Sequence, residues 1–336
     1  MRGSAIYFAR LLTGQLASDL TDQDIDLIFT SDMTSVTDLR ALLPGHLRDK
    51  PIICYFHENQ LTYPLPDESQ RDYQYGFTNI TTCLAADAVW FNSQYHQNTF
   101  LEAADNLLRK MPDYIPEGII SGIKQRASVM PLGLTPDFFQ AISSPPPQAT
   151  PTILWNHRWE YDKNPDDFFN VLFELDEAGF DFRLLVAGEQ FRTYPPIFDK
   201  AKKKLTHRID NFGYIPEKTQ YLQLLSRANI VVSTAIHEYF GLSVRQAVAA
   251  NCWPLLPNRL SYPELIPEKD HDRHLYGSNE QLKAKLINLI ENGVGDLSPE
   301  LKQKNNALAW PKLAPIYDQA WEKFIKEVPS NRHEHS

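Results

Sequence analysis

Short apolar runs alternate with segments of helical periodicity along the chain. The runs of the first half span residues 25–30, 52–56, 88–91 and 128–130, and those of the second half span residues 153–155, 182–187, 230–233 and 253–256. A further strand is predicted at residues 209–212, where two polar residues separate Ile209 from Phe212. Continuous apolar runs of this length are typical of strands that are buried on both faces of a parallel sheet. Patterns at residues 166–178 and 217–227 predict helices between such strands. The alternation therefore predicts an α/β fold with mostly parallel sheets.

A proline-rich segment without periodicity, Ser-Ser-Pro-Pro-Pro at residues 143–147, separates the two series of strands. Because 336 residues suffice for two ordinary domains, we expect Rossmann-like domains over residues 1–142 and 148–305. A last helix over residues 306–328 and a disordered tail over residues 329–336 are expected to follow. The second series is complete by strand count, whereas the first shows about four strands and starts abruptly.

Composition narrows the class of protein. The formal net charge of −9 argues against a broad nucleic-acid footprint, although a local basic patch remains compatible with it. No stretch approaches the ~18 uninterrupted apolar residues that a membrane span requires. Cys54, Cys83 and Cys252 form no CxxC pair, so we expect them to be reduced core residues of a cytoplasmic protein.

Polar residues directly follow the strand predicted at residues 52–56. They are His57, Glu58, Asn59 and Gln60. In open parallel sheets, ligands bind beyond the carboxyl ends of the strands. A neutral imidazole at this position can bind sugar hydroxyls or act as an acid or base near pH 7. The alternative is a histidine that is hydrogen-bonded to a backbone carbonyl at the end of the strand.

Two cations follow the strand predicted at residues 153–155. Arg158 and Lys163 lie five positions apart in a loop that opens the next helix. Cations that converge on a helix N-terminus can hold a diphosphate, which the helix dipole also favours. Alternatively, both are solvated cations on the surface.

A third group of residues follows the strand predicted at residues 230–233. Glu238 precedes Gly241 and Leu242, whose backbone amides would point at an anion where the next helix begins. The Glu238 carboxylate could accept hydrogen bonds from sugar hydroxyls. The alternative is an ion pair with a nearby arginine, because an unpaired carboxylate at a strand end is costly.

Two other clusters are weaker candidates. His271 and His274 lie three positions apart in a polar segment, but we predict no metal site there. The lysines at residues 202–204, with His207 and Arg208, predict a solvated helix end, and contact with an RNA backbone is the alternative.

Together these motifs resemble those of the GT-B-fold retaining glycosyltransferases of family 4. The Arg–Lys pair of that group looks like Arg158 and Lys163. Its signature, Glu-x-Phe-Gly-Leu with a second Glu eight positions after the first, looks like EYFGLSVRQ at residues 238–246. Tyr-Pro-Glu at residues 262–264 resembles the segment that faces the donor, and residues 310–324 resemble the helix that crosses back to the first domain. The resemblance implies two Rossmann-like domains that face a cleft.

The first half is similar to one branch of this group, the tRNA-queuosine mannosyltransferases. The similarity lies in YFHENQLTYP at residues 55–64, RDYQYG at residues 71–76 and ADAVWFNS at residues 86–93. Members of that branch place mannose from GDP-mannose on the queuosine of a tRNA anticodon.

The resemblance implies a role for each candidate residue. It assigns the donor site to Arg158, Lys163, Gly241, Leu242, Gln246 and Glu264. It assigns the acceptor site to His57, Glu58, Asn59 and Gln60, and catalysis to His57, Glu238, Arg158 and Lys163. No metal would be required, because the two cations take the role that a divalent ion plays in GT-A enzymes. The expected partners are a nucleotide sugar, GDP-mannose, and a tRNA that contains queuosine, with no membrane.

Two departures from the family pattern qualify this expectation. Gln246 stands where the family has its second Glu, which binds the donor ribose hydroxyls. Since glutamine accepts one hydrogen bond and donates another, donor binding is expected to be weakened rather than lost. The family also begins with a strand and a glycine-containing loop, and this chain is expected to start after them.

Two alternative functions stay open at this point. One is a GT-B glycosyltransferase that acts on a lipid or a polysaccharide. The other is a non-catalytic module that binds nucleotide sugars, which Gln246 and the short first domain would favour.

Overall fold

The structure is a computed structural model that describes residues 3–13, 25–65, 71–140 and 150–331. The chain divides into two compact units, one formed by Met1–Pro131 with Ala314–Ser336 and the other by Leu132–Leu313. Each unit has its own parallel sheet, which confirms the predicted fold class. The linker predicted at residues 143–147 lies outside the described residues. Within these ranges, no helix is long and apolar enough to cross a membrane.

The N-terminal unit is built on a four-stranded sheet, as far as the chain is described, with the order β1-β2-β3-β4. Its strands are β1 (Ile28–Ser31), β2 (Ile52–Phe56), β3 (Ala88–Phe91) and β4 (Ala127–Val129). Its helices are α1 (Ser4–Thr13), α2 (Val36–Leu42), α3 (Gly45–Arg48), α4 (Tyr73–Ala85), α5 (Gln94–Leu108) and α6 (Ile119–Arg126). β2 and β3 are buried along their whole length, as their continuous apolar sequences predict.

The C-terminal unit has, among its described residues, a six-stranded sheet with the order β10-β9-β8-β5-β6-β7. Its strands are β5 (Thr152–Trp155), β6 (Arg183–Ala187), β7 (Ile209–Gly213), β8 (Ile230–Val232), β9 (Trp253–Pro257) and β10 (Leu275–Tyr276). Its helices are α7 (Asp137–Gln140), α8 (Pro165–Glu177), α9 (Ile197–Lys204), α10 (Lys218–Arg227), α11 (Leu242–Ala249), α12 (Tyr262–Leu265), α13 (His271–His274), α14 (Asn279–Asn292) and α15 (Pro299–Asn306). From β5 the chain adds β6 and β7 on one side of the sheet, and it then returns to add β8, β9 and β10 on the other side of β5. The order of the strands therefore reverses between β5 and β8, which is the topological switch point.

The last helix, α16 (Trp310–Asn331), joins the N-terminal unit from Ala314 onward. Its Trp321 ring lies 5.0 Å from the ring of Phe29 and 5.7 Å from that of Trp90, between centroids. Tyr317 donates a hydrogen bond to the carbonyl of Pro131, at 3.0 Å. Of the tail predicted to be disordered, residues 329–331 form the end of α16, and residues 332–336 lie outside the described residues.

The boundary between the units lies at Pro131, earlier than the predicted boundary at residue 142. The N–H of Leu134 bonds to the carbonyl of Leu308 at 2.8 Å, and the N–H of Trp310 bonds to the carbonyl of Leu134 at 2.9 Å. These two bonds join the chain at Leu134 to the end of the C-terminal unit. The pairing joins residues far apart in the sequence and extends over a single isolated bridge, so no local periodicity could reveal it.

Phe198 is a buried residue of the aromatic core of the C-terminal unit. Its ring is fully buried and stacks on Trp159 with 4.0 Å between centroids and 3° between planes. We expect Phe198→Ala to lower the free energy of unfolding of this unit by about 3–5 kcal/mol, because it removes a large side chain from a close-packed core. Chemical denaturation of the full chain measures this. Phe191→Ala is the matched control, because Phe191 is 37% exposed and its loss should cost under ~0.5 kcal/mol.

Candidate functional site

Hydrogen bonds join the loop after β5 to the loop after β8. The carbonyl of Asp162 accepts the N–H of Ile236 at 2.9 Å and that of His237 at 3.3 Å. The hydroxyl of Thr234 donates to the carbonyl of Lys163 at 3.0 Å. Since β5 and β8 are neighbouring parallel strands, both loops leave the sheet at the same edge, where ligands bind in this type of fold. The two sequence motifs therefore form one site.

The ammonium group of Lys163 is buried in this site, with the side chain only 8% exposed. Its Nζ donates to the carbonyl of His237 at 2.9 Å and lies 3.1 Å from an Asp162 carboxylate oxygen and 3.5 Å from Oε2 of Glu238. Burial alone would lower the pKa of Lys163, but the charges of Glu238 and Asp162 outweigh it and raise the pKa above its ordinary value. Lys163 is therefore a charged group between two carboxylates, and not a solvated surface cation.

Glu238 is an anion held by backbone amides and by Lys163. Its Oε1 accepts the N–H of Gly241 at 2.9 Å and that of Phe240 at 3.2 Å. Burial would raise the pKa of Glu238, but Lys163 and the amide bonds outweigh it and lower the pKa to about 2. The Gly241 amide was predicted to face an anionic ligand, and the structure instead bonds it to Glu238. Glycine is required there, because its φ is +76° and a Cβ would lie 3.1 Å from the Tyr262 ring.

Arg158 lies beside a cavity in the C-terminal unit. Its side chain is 48% exposed, and its guanidinium lies 3.0 Å from the Glu160 carboxylate. The cavity has a volume of about 380 Å³ and is lined by residues that follow β5, β6 and β7 and by residues of α10: Asn156, His157, Arg158, Ala187, Gly188, Glu189, Tyr214, Ile215, Pro216, Lys218 and Tyr221. The volume lies in the range of small-molecule sites. Arg158 and Lys218 are the cations at its wall. Lys218 lies 2.6 Å from a carboxylate oxygen of Asp137, and Glu189 adds a carboxylate to the same wall.

Gln246 belongs to a chain of hydrogen bonds at the edge of this cavity. Asn156 Nδ2 donates to the Tyr221 hydroxyl at 3.1 Å and to the carbonyl of Ser243 at 2.8 Å. The Tyr221 hydroxyl in turn donates to Oε1 of Gln246 at 3.2 Å. Burial raises the pKa of Tyr221 to about 12, so the phenol keeps its proton. The residue that departs from the family pattern thus accepts a hydrogen bond in this chain, while Oδ1 of Asn156 has no hydrogen-bond partner among the described residues.

Two buried residues of this region were not predicted from the sequence. His157 is buried, its Nε2 finds no hydrogen-bond partner among the described residues, and burial lowers its pKa to about 3. Its position directly after β5 is a signal that could have identified it. Arg245 is buried in α11 and donates from Nε to the carbonyl of Phe240 at 2.9 Å. Burial lowers its pKa to about 10 against the opposing charges of Glu264 and Glu238. An arginine on a helix carries no sequence signal of burial.

In the N-terminal unit, His57 stands exposed at the end of β2. Its ring centroid lies 4.7 Å from that of Tyr55, and partial desolvation lowers its pKa, so the imidazole is neutral at pH 7. Beside it, Gln60 Nε2 donates to the Glu58 carboxylate at 3.1 Å. Asn59 is different, because it is fully buried.

Oδ1 of Asn59 accepts the N–H groups of Leu61 and Thr62 at 3.1 and 3.0 Å and the hydroxyl of Thr62 at 3.1 Å. Asn59 shapes the loop from within, which corrects the prediction that its side chain contacts an acceptor. A short polar run after a strand does not reveal which of its members turns inward.

Asp32 was not predicted either, although it directly follows β1. It is buried, and its Oδ1 accepts the N–H of His57 at 3.0 Å. Within the described part of the chain, Oδ2 has no hydrogen-bond partner. Burial raises its pKa to about 7, against the opposing bond from His57.

The weaker candidates have structural roles. His271 Nε2 lies 3.2 Å from the carbonyl of Ile266, and His274 Nδ1 lies 3.0 Å from that of Pro254. No group of three or more His, Cys, Asp or Glu side chains in the described ranges is arranged to hold a metal ion. The basic run near α9 is interleaved with acids, since Lys204 pairs with Glu177 at 3.1 Å, and His207 and Arg208 both contact Asp176.

Comparisons with known proteins identify the family of the chain. Residues 1–134 match the family described as tRNA-queuosine alpha-mannosyltransferase N-terminal, and residues 139–308 match glycosyl transferases group 1. The chain is 35% identical over 295 residues to a tRNA-queuosine alpha-mannosyltransferase of Drosophila melanogaster, which covers 85% of this chain and 75% of that protein. This chain belongs to the tRNA-queuosine alpha-mannosyltransferase family.

Other similarities are more distant. A GDP-mannose-dependent phosphatidylinositol dimannoside mannosyltransferase of Mycobacterium tuberculosis is 31% identical over 122 residues, which is 35% of this chain and 31% of that protein. A glycosyltransferase from Rickettsia africae superposes with a TM-score of 0.68 at 16% identity, over 96% of this chain and 81% of that one. The structural likeness establishes the GT-B fold that the sequence motifs predicted for this family.

Gly188 sets how closely the loops after β5 and β6 approach each other. Its φ is +155°, and a Cβ would lie 1.8 Å from the carbonyl oxygen of His157. We expect Gly188→Ala to lower the free energy of unfolding by at least about 2 kcal/mol, because the backbone beside the cavity must move. Thermal unfolding measures this. Gly122→Ala on α6 is the control, since the nearest atom lies 3.9 Å away and alanine should stabilise that helix slightly. Equal effects of the two variants would contradict this expectation.

The raised pKa of Asp32 implies that the stability of the fold depends on pH. Its pKa is about 7 in the folded chain against an ordinary 3.8, so the unfolded chain releases this proton first as the pH rises. The contribution of Asp32 to stability is thus complete below about pH 4 and is lost as the pH rises to about 7. Asparagine does not titrate, so we expect Asp32→Asn to abolish this loss of stability. The melting temperature of the variant minus that of the wild type should therefore increase from pH 5 to pH 8. A constant difference over that range would contradict the prediction.

Proposed function

We propose that this protein transfers mannose from GDP-mannose to the queuosine of a tRNA, with retention of configuration at the sugar. The observation that carries the proposal is the similarity over 85% of the chain to the tRNA-queuosine alpha-mannosyltransferase of Drosophila melanogaster. The N-terminal family match over residues 1–134 supports the tRNA acceptor in particular. The alternatives of a lipid or polysaccharide acceptor have no such support from the first half of the chain.

The cavity beside Arg158 is the candidate site for the nucleotide. Its volume of about 380 Å³ and its cations, Arg158 and Lys218, suit an anionic ligand of that size. The 122-residue similarity to a GDP-mannose-dependent enzyme supports GDP-mannose as the donor. Lys163 and Glu238 lie at the same edge of the sheet, where the diphosphate and the sugar of such a donor would meet.

The transfer exchanges one bond for another at C1 of the mannose. The bond from C1 to the β-phosphate oxygen breaks, an acceptor hydroxyl oxygen bonds to C1 on the same face, and the hydroxyl proton passes to the departing phosphate. Arg158 and Lys163 would stabilise the negative charge that grows on the diphosphate. Glu238, fixed by Lys163 and by the Gly241 amide, would orient the sugar hydroxyls. In this scheme the cations take the role of a divalent ion, and no metal is required.

On the acceptor side, His57 would contact the sugar or the acceptor hydroxyl, with Glu58 and Gln60 beside it. His57 is exposed and neutral, which suits hydrogen bonding to hydroxyl groups. A tRNA acceptor implies that the protein works where mature tRNA is present, and we propose the cytoplasm.

A transfer assay tests the proposal. Purified protein is incubated with radiolabelled GDP-mannose and either a tRNA that contains queuosine or the same tRNA transcript with guanosine at that position. We expect label only in the queuosine-containing tRNA. Transfer to both tRNAs or to neither would refute the proposed acceptor. Binding of GDP without any transfer would instead support the non-catalytic module.

Replacing Arg158 tests the donor site. We expect Arg158→Ala to lower kcat/KM for GDP-mannose about a hundredfold, because one donor to the developing charge is removed, and to weaken GDP binding measured by calorimetry. Lys204→Ala is the matched control, since Lys204 is a surface cation paired with Glu177 and its loss should leave both quantities unchanged. If both variants behaved alike, Arg158 would not hold the diphosphate.

A further inference from the structure

The segment that carries His57 is held by buried polar side chains along its whole length. This segment, residues 57–62, is called the acceptor segment below. Asp32, Asn59, Asn79 and Asn92 are all buried, and each of them bonds to its backbone. Burying so many polar groups is costly unless each one is hydrogen-bonded. Their arrangement therefore serves the conformation of this loop.

Both backbone groups of His57 are occupied. Its N–H donates to Oδ1 of Asp32 at 3.0 Å, and its carbonyl accepts from Nδ2 of Asn92 at 2.9 Å. With the peptide fixed on both sides, the direction in which the imidazole leaves the main chain is fixed as well. Asp32 follows β1, Asn92 follows β3, and His57 follows β2 between them.

A second link joins Asp32 to the acceptor segment. Asn79, in α4, donates from Nδ2 to the carbonyl of Asp32 at 3.3 Å and accepts the N–H of Gln60 through Oδ1 at 3.0 Å. Arg71, just before α4, donates to the carbonyls of Gln60 and Leu61 at 3.0 and 3.2 Å. Asp32 is therefore bonded to the start of the segment directly and to its middle through one residue.

We propose that Asp32 is a positioning residue for acceptor recognition: its carboxylate fixes the main chain at His57, and thereby the direction of the His57 and Glu58 side chains. The inference rests on the proposed function, since it takes this segment as the acceptor side. Asp32 does not touch the acceptor, because it is buried. Oδ2 of Asp32 has no hydrogen-bond partner among the described residues, so the bond from Oδ1 to the His57 N–H is the contact through which Asp32 acts on the segment.

Thr82 provides the matched comparison. It lies in α4 like Asn79, is fully buried, and accepts the N–H of Val36 through Oγ1 at 3.3 Å. This bond holds the start of α2 and does not involve the acceptor segment. Thr82→Ala should therefore lower stability and leave acceptor recognition unchanged.

The experiment compares Asp32→Ala, Asp32→Asn and Thr82→Ala in the full chain. For each variant we measure KM for the queuosine-containing tRNA, KM for GDP-mannose, melting temperature and amide hydrogen exchange in residues 57–62. We expect Asp32→Ala to raise KM for tRNA about tenfold, to leave KM for GDP-mannose unchanged, and to speed exchange in the acceptor segment without lowering the melting temperature at pH 8. Asp32→Asn keeps an oxygen that can accept the His57 N–H, so its KM for tRNA should stay close to that of the wild type.

Two results would overturn the inference. One is an unchanged KM for tRNA and unchanged exchange in Asp32→Ala. The other is a parallel rise of both KM values with a loss of melting temperature, as a structural defect would give. If the wild type transfers mannose to no tRNA, the proposed function fails by itself. Hydrogen exchange then still decides whether Asp32 fixes the acceptor segment.

Discussion

The buried ammonium of Lys163 is the interaction on which the candidate donor site depends. It lies between the carboxylates of Asp162 and Glu238 and donates to the carbonyl of His237, so it joins the loop after β5 to the loop after β8. Removing one partner of such a group leaves a buried charge uncompensated, which costs about 3–5 kcal/mol. The three charges sum to −1, so the binding of a diphosphate needs positive charge beyond that of Lys163. In the proposed donor complex, that charge would come from Arg158 at the cavity wall, which is paired with Glu160 in this structure.

The two units fix their candidate residues in different ways. In the C-terminal unit, the ammonium of Lys163 and two backbone amides hold Glu238 in place. In the N-terminal unit, neutral amides and one carboxyl group hold the backbone at His57, and the side chain itself stays exposed. The second arrangement leaves Asp32 with an oxygen that no described residue satisfies. Functional sites commonly retain such unfavourable groups, because the geometry they enforce outweighs the stability they cost.

The sequence was most informative for features that depend on neighbouring residues, such as single strands. Apolar runs predicted the strands β1 to β6, β8 and β9, and the strand predicted at residues 209–212 corresponds to β7 although half of it is polar. The residues after β2, β5 and β8 carry the candidate chemistry. β10 was not predicted, because its two residues make no pattern of their own. Two features were not predicted: the amide of Gly241 bonds to Glu238, and the side chain of Asn59 is buried. Both depend on the path of a loop, which the residue types do not specify. Arg245 is buried although it lies on a helix, because tertiary packing overrides the general tendency of arginine to be exposed.

The structure also shows how Gln246 can replace an acidic residue without loss of the local network. Asn156 donates to the Tyr221 hydroxyl, so that hydroxyl must direct its own proton to Gln246. An amide oxygen accepts this proton as a carboxylate would. The charge differs, because a glutamate would add a negative charge beside the cavity proposed for the nucleotide. The glutamine accepts the same hydrogen bond and, in the proposed complex, would repel the diphosphate less than a glutamate. The resemblance assigns this position to the donor ribose, and in the proposed complex a glutamine would offer one acceptor oxygen and one N–H group where a glutamate offers two acceptor oxygens.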